Sequence, residues 1–303
     1  MIVHNHAKTG KHSAIQPSRT RQNLDPALPS VARCGFTLPR LPTMTQPAPS
    51  GLPSDRQTYI RQRLQQDGRV VATELAQTLG VSEDSIRRDL RELASSGICQ
   101  RVYGGAIAMT PNTGNFSQRS HENIARKARL AAAAVQLLRP GQFVFLDSGS
   151  TNLEIARAIP DGLPLTIATN AIPIAAALLG RTALEVLVVG GRMDHRIGGT
   201  MGSSAMLDIQ TLRPDVCFLG TCSLDIELGV GTTLSEEAAL KRELVRHSSQ
   251  VVLCVTNEKL DTASPFSVAA MADIRQLVLE ADAEPHKLQR LRDCGVPVLL
   301  ASS

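Results

Sequence analysis

The stretch "SEDSIRRDLRELASSG", Ser82 to Gly97, decides how the first folded part of the chain is read. Ser82 is a favoured N-cap residue, Glu83 and Asp84 fall in a first turn where the helix dipole favours anions, and Gly97 is placed to end the helix. At about 100° per residue, Ile86, Leu90 and Leu93 make one narrow apolar stripe. The opposite face carries Ser85, Arg88 and Arg91, with Arg87 on its flank. Two readings of the adjacent arginines are open: a solvated face pairing with nearby acids at i,i+3 and i,i+4, or a probe for phosphates and base edges.

The flanks bear on that choice. Upstream, "TYIRQRLQQDGRVVATELAQTLGVS" predicts a helix over about 55–66, a break at Asp67 and Gly68, and a short helix over about 73–79, with Gly80 and Val81 turning into the Ser82 helix. Two helices joined by a short Gly-containing turn are a helix-turn-helix. Downstream, "ICQRVYGGAIAM" alternates and then turns at Gly104 and Gly105, the pattern of a short hairpin with Arg101 and Tyr103 near its tip. The arrangement is a winged helix-turn-helix.

Charge does not carry this reading. The formal net charge is +4, but residues 1–53 hold six Lys or Arg against one acid, which leaves the remainder at −1. Residues 54–110 hold eight basic and seven acidic residues, so an argument for DNA rests on where the arginines point. The leader, 1–53, is rich in Pro, Ser, Thr, Arg and His and lacks both periodicity and the apolar segment of a signal peptide. It reads either as a disordered basic arm or as untranslated sequence preceding a true start at Met44. No apolar run is long enough to cross a membrane, and a cytoplasmic location is expected.

Beyond a turn-forming linker (111–119, with "TPNTGN" at its start), the pattern changes to short apolar runs alternating with helical segments. The runs are Phe143 to Leu146, Leu165 to Ala168, Val186 to Val189, Val216 to Leu219, Val251 to Val255, Leu277 to Leu279 and Val298 to Leu300. Strands of this kind predict an α/β domain over 120–303 with a largely parallel sheet, whose ligands bind at the carboxyl ends of the strands. Three such ends are polar or Gly-rich: Asp147, Ser148, Gly149, Ser150 and Thr151; Thr169 and Asn170; Gly190, Gly191 and Arg192. Hydroxyls and free amides at a helix start can bind phosphate, and the same S-G-S-T run also serves as an ordinary capped turn.

"LGVSEDSIRRDLRELASSGICQRVYGGA" resembles the DNA-binding half of DeoR/GlpR-type bacterial transcription regulators, with Ser85 keeping the hydroxyl of the family's usual Thr. The resemblance continues through "LDSGST", "TNA", "VVGG" and "FLGTCSLDIELGVGTTLSEEAALKREL", over roughly 54–282. It implies an N-terminal winged helix-turn-helix domain and a C-terminal α/β effector domain resembling ribose 5-phosphate isomerase. It also implies Ser85, Arg87 and Arg88 at the major groove, Arg101 and Tyr103 on the backbone, and Ser82 as a cap first and a phosphate contact second. Asp147 to Thr151, Thr169, Asn170 and Lys241 would hold a phosphorylated sugar or related metabolite. The family's D-x-S-K-F segment is here Thr256-Asn257-Glu258-Lys259-Leu260, so Lys259 keeps the cation while the acid is missing.

The implied function is a DNA-binding regulator of carbohydrate genes, usually a repressor, acting on double-stranded operator DNA as a homo-oligomer. The alternative is a sugar-phosphate isomerase, whose general base would be Asp225 or Glu236. Six scattered cysteines without a C-x-x-C pair suggest neither a metal, a cofactor nor an obligatory disulfide. With 3% aromatic residues and no Trp, phosphate and hydroxyl contacts should outweigh stacking in effector recognition. Arg88→Ala is expected to cost about 1–3 kcal/mol of specific DNA binding if Arg88 reads a base bidentately. Unchanged operator affinity in the folded variant, measured by titration, would assign it to the solvated face.

Overall fold

The computed structural model describes residues 52–110 and 114–302. The leader and the Met44 reading lie outside the described residues. The first helix, α1 (Pro53–Asp67), has Pro at its start and closes on Gly68, at φ 72°, whose N–H donates to Leu64 O over 3.0 Å. A three-residue strand, β1 (Arg69–Val71), leads into α2 (Ala72–Leu79) and then α3 (Glu83–Ser95), which Ser82 caps by accepting from the Ser85 N–H. The wing is β2 (Cys99–Val102) and β3 (Gly105–Met109), antiparallel, with β1 pairing along the other edge of β3. Ile60, Leu64, Leu75, Ile86, Leu90 and Leu93 form the core between helices and wing.

One acid of the arginine-rich helix faces inward. Asp89 is buried and takes a two-pronged ion pair from Arg56 of α1, at 2.7 and 3.1 Å. Such fork geometry adds direction to the charge, and it fixes the angle between α1 and α3.

The second domain begins with α4 (Phe116–His121) and α5 (Ile124–Ala134), the latter ending in a single 3-10 turn. Strand β4 (Phe143–Leu146) feeds α6 (Ser150–Ala158), β5 (Leu165–Thr169) feeds α7 (Ile172–Ala177), and β6 (Leu184–Val188) follows. A hairpin of β7 (Arg192–Asp194) and β8 (Gly199–Met201) precedes α8 (Ser203–Thr211) and β9 (Val216–Phe218). Next come β10 (Ser223–Asp225), β11 (Gly229–Thr232) and α9 (Ser235–His247). The chain finishes with β12 (Val251–Val255), β13 (Thr262–Ala263), β14 (Phe266–Ala269), β15 (Gln276–Leu279), α10 (Pro285–Asp293) and β16 (Val298–Leu300).

All seven apolar runs enter one sheet, in the order β16-β15-β12-β9-β4-β5-β6, and every neighbouring pair is parallel. Helices cover both faces. One core gathers residues of α8, α9 and α10, and the other gathers α5, α6 and α7. That layering puts the carboxyl ends of β4, β5 and β9 side by side, where a parallel α/β sheet receives ligands. Among the described residues no helix is long and apolar enough to cross a membrane.

Candidate effector site and nucleic-acid face

The arginine pair of α3 divides between its two readings. Arg87 Nη2 lies 3.0 Å from Glu83 and Nη1 lies 3.6 Å from Asp84, the i,i+4 and i,i+3 pairs of a solvated face. Arg88 is exposed, and no hydrogen bond or ion pair engages it among the described residues. Ser82 and Ser85 hydroxyls are 3.0 Å apart at the helix start. Arg101 and Tyr103 are exposed on the wing, with Tyr103 wholly in solvent at its tip. The four groups Ser85, Arg88, Arg101 and Tyr103 therefore remain available to a partner outside the core.

In the second domain the strand ends build a cleft of about 90 Å³. Its foundation is a buried ion pair. Lys241 of α9, 1% exposed, donates to Asp147 Oδ2 just past β4, and also to Gly220 O at 2.7 Å just past β9. Asp147 additionally accepts from Gly220 N at 2.8 Å and from Ser148 N at 2.7 Å. Glu237 Oε1 lies 3.3 Å from the same ammonium. Burial alone would push Lys241 down, but the carboxylates of Asp147 and Glu237 outweigh it and hold the amine well above its usual value, as a cation.

Above this pair sits the loop into α6. Asn152 Nδ2 donates to Asp147 O at 2.9 Å and Phe218 O at 2.8 Å, clamping the ends of β4 and β9 together. Ser148, Gly149, Ser150, Thr151 and Asn152 line the cleft beneath the start of α6. Gly149 at φ 166° is extended backbone, and a Cβ there would meet nothing closer than 3.9 Å, so its exposed side opens into the cleft. Gly220 is different: a Cβ would stand 2.3 Å from Ser148 O and 3.0 Å from Lys241 Nζ, so only glycine lets the two strand ends approach.

The opposite wall carries both signs of charge, with Glu258, paired to Arg126 at 3.0 Å, beside Lys259 and Arg119. Lys259 lines the cleft and donates to Thr221 O at 2.7 Å. Burial pushes its amine below the ordinary lysine value despite the attraction of neighbouring Glu258, and Arg119 and Lys241 add a smaller repulsion. Arg119 also lines the cleft, held by Gly114 O at 2.7 Å and Arg196 O at 3.0 Å. Behind it, Lys127 donates to the carbonyls of Arg119 and Glu122, and burial together with Lys259 lowers its amine too. Lys259 and Arg119 thus face the hydroxyls and the helix start of the Ser148–Asn152 loop across a cleft that Glu237 and Glu258 also line.

The expected loops do not all converge. Thr169 Oγ1 donates to Leu146 O at 2.6 Å and accepts from Ala171 N, and Asn170 Oδ1 accepts from Ser148 N. Both therefore brace the cleft from below, as Asp147 and Lys241 do, and none of the four is among its lining residues. Gly190, Gly191 and Arg192 lie outside it. A Cβ on Gly191 would come within 2.6 Å of Met201 O, so this loop is a close contact with β8, and Arg192 pairs with Glu236 at 2.5 Å. Sequence reading missed Arg119, Gly220, Thr221 and Cys222, which come from segments without a strong local pattern.

A winged helix presenting an unpaired arginine, joined to an α/β domain with a polar cleft at its strand ends, defines a ligand-responsive DNA-binding regulator. Residues 56–112 match the DeoR-like helix-turn-helix domain, and residues 122–281 match the DeoR C terminal sensor domain. The chain is 34% identical over 251 residues to a putative aga operon transcriptional repressor of Escherichia coli O157:H7, covering 82% of this chain and 93% of that protein. It is 33% identical over 252 residues to the HTH-type transcriptional regulator GlpR of Haloferax volcanii, covering 82% and 98%. The chain belongs to the DeoR family of transcriptional regulators. Among solved structures, ribose 5-phosphate isomerase A of Methanocaldococcus jannaschii aligns over 46% of this chain and 55% of that one, at 16% identity and a TM-score of 0.34.

Lys241→Met removes one partner of the buried pair and leaves Asp147 uncompensated, so it is expected to destabilise the protein by about 3–5 kcal/mol. The double variant Asp147→Leu, Lys241→Met should recover a large part of that loss in denaturant unfolding. Equal stability of Lys241→Met and wild type would contradict the structural role assigned to the pair.

Proposed function

We propose that this regulator represses genes of carbohydrate metabolism and that a phosphorylated sugar or a related phosphorylated metabolite, bound in the cleft, switches its operator affinity. The observation that carries the effector class is the juxtaposition of Lys259 and Arg119 with the Ser148–Asn152 loop at one cleft. A phosphate would accept from the hydroxyls and the helix-start amides while relieving repulsion among the cations. Glu237, also at the cleft, supplies an acceptor for sugar hydroxyls. The name of the E. coli relative, an aga operon repressor, supports the sign of regulation.

On the DNA, Ser85, Arg88, Arg101 and Tyr103 are the contacts we assign, with Arg87 joining once its acidic partners are displaced. A homo-oligomer would present paired winged helices to repeated half-sites. Catalysis has less support. Asp225 Oδ1 accepts from Glu227 N at 2.8 Å and Leu228 N at 3.0 Å within a turn, and Glu236 is paired with Arg192, so neither of the proposed bases is directed at the cleft.

The lysine environment sets a pH dependence. Lys259 holds its proton less tightly than a free lysine, and a bound phosphate favours the charged form, so affinity should fall as pH rises through the lowered Lys259 value. On the acid side it should fall below about pH 6, where a phosphate monoester loses its second charge. Because the folded protein disfavours the charged amine, Lys259→Met is expected to raise Tm at neutral pH while sharply weakening sugar-phosphate binding and removing the alkaline fall. Calorimetric titration across pH with a panel of sugar phosphates checks this. Undiminished binding by the variant would remove Lys259 from the site.

A further inference from the structure

We infer that the six-residue strap Lys259–Ser264 transmits occupancy of the cleft to the wing of the DNA-binding domain; this rests on the effector reading above. At one end of the strap, Lys259 supplies one of the cleft's two lining cations, with Arg119 the other. At the other end, β13 pairs in parallel with the wing strand β3, Thr262 opposite Ala108 and Ala263 opposite Met109, continuing the edge that β1 begins. A strand of the sensor domain thus completes the sheet of the reader domain. Thr110, the residue after the wing strand, donates its N–H to Ala263 O at 2.8 Å. Its hydroxyl stands 3.1 Å from Thr262 Oγ1 and 3.3 Å from Ser264 Oγ, and the same residue lines the cleft. The two domains therefore share both the strap and the cleft wall.

The middle of the strap is under strain. Asp261 adopts φ 54°, a left-handed conformation uncommon outside glycine, and a Cβ on Gly68 would lie 2.7 Å from its carbonyl oxygen. Gly68 ends α1, so the first helix of the reader domain abuts this residue. Asp261 Oδ1 takes one hydrogen bond from Arg290, at 2.9 Å, while its Oδ2 and the other Arg290 nitrogen, Nη2, are buried with no hydrogen-bond partner among the described residues. A two-pronged pair would satisfy all four atoms, so this contact is held short of its best geometry by the surrounding joint. Asp225 Oδ2 nearby is likewise buried and unsatisfied. A further ion pair, Arg69 of β1 to Glu227 at 2.6 Å, spans the joint.

Strain and unsatisfied charge concentrated between two sites are what a bistable element needs. Binding of an anion would draw Lys259 from Thr221 O toward the cleft, and the strap offers only Leu260 and Asp261 to absorb the movement before β13. The recognition helix stays exposed in this docked arrangement, so the strap acts on the orientation of the reader domain and not by covering its DNA face.

Hydrogen exchange on the full chain tests this, with inorganic phosphate and hexose 6-phosphates as probes. Slowed exchange in 148–153 accompanied by altered exchange in 105–110 is expected. Asp261→Asn, which tolerates the same backbone conformation but lacks the charge, should keep the first change and lose the second. Glu227→Gln, on the opposite side of the joint, should reduce the second change and serves if Asp261→Asn does not fold. Protection of 148–153 with no change in 105–110 overturns the strap and leaves the effector reading standing. If no probe protects 148–153, the effector reading fails, and the unliganded protein decides the strap: Thr110→Val should then speed exchange in both 105–110 and 219–222, and a change confined to the wing overturns it.

Discussion

The sensor domain depends on one interaction, the buried contact between Lys241 and Asp147. Removing two opposite charges from water is costly, and the contact is sustained because the remaining hydrogen-bonding capacity is filled by Gly220 and Ser148. Its consequence is geometric. It ties the end of β4, the end of β9 and helix α9 to one point, and the loop carrying Ser148 to Thr151 is positioned by that point. An apolar replacement of similar volume could match the stability, but it would not orient these backbone groups. The cations of the wall opposite have the reverse character: Lys259 and Lys127 are held where their charge is disfavoured. Lys241 is held as a cation by carboxylates, whereas Lys259 and Lys127 donate to backbone carbonyls.

The reader domain shows the same division. Asp89 lies within the run of arginines on α3, yet it is buried and locked to Arg56. This inward pair fixes how α3 leaves the core, and Arg88, the next residue outward, is kept free. Arg87 instead rests on Glu83 and Asp84. Exposed pairs of this kind are weak and leave Arg87 free to exchange partners at little cost.

Much of this was legible in the sequence, for physical reasons that differ by element. The Ser82 helix announces both ends and its stripe, and the inner strands of the main sheet are apolar because helices cover both their faces, while the edge strand β6 leaves Leu187 and Val188 exposed. The short elements were not legible. β1, β7, β8, β10, β11 and β13 are two to four residues long, too short for any period to register. The site was legible in part. Ser148 to Thr151 follow a strand and open a helix, a local signature, whereas Arg119 and Gly220 reach the cleft only through tertiary placement. Gly190 and Gly191 carried the same surface signal as Gly149, yet their loop serves packing against β8. A Gly-rich strand end alone does not separate a ligand loop from a tight contact.

The central claim is that anion binding at the strand ends alters DNA binding by the winged helix. The most direct measurement is equilibrium binding of the full chain to the DNA upstream of its own gene, at fixed ionic strength, titrated with individual sugar phosphates. The account predicts a specific complex whose affinity shifts with one phosphorylated compound and not with its unphosphorylated sugar. A specific complex whose affinity is the same with every phosphate, in a protein shown to bind one of them in the cleft, would contradict it.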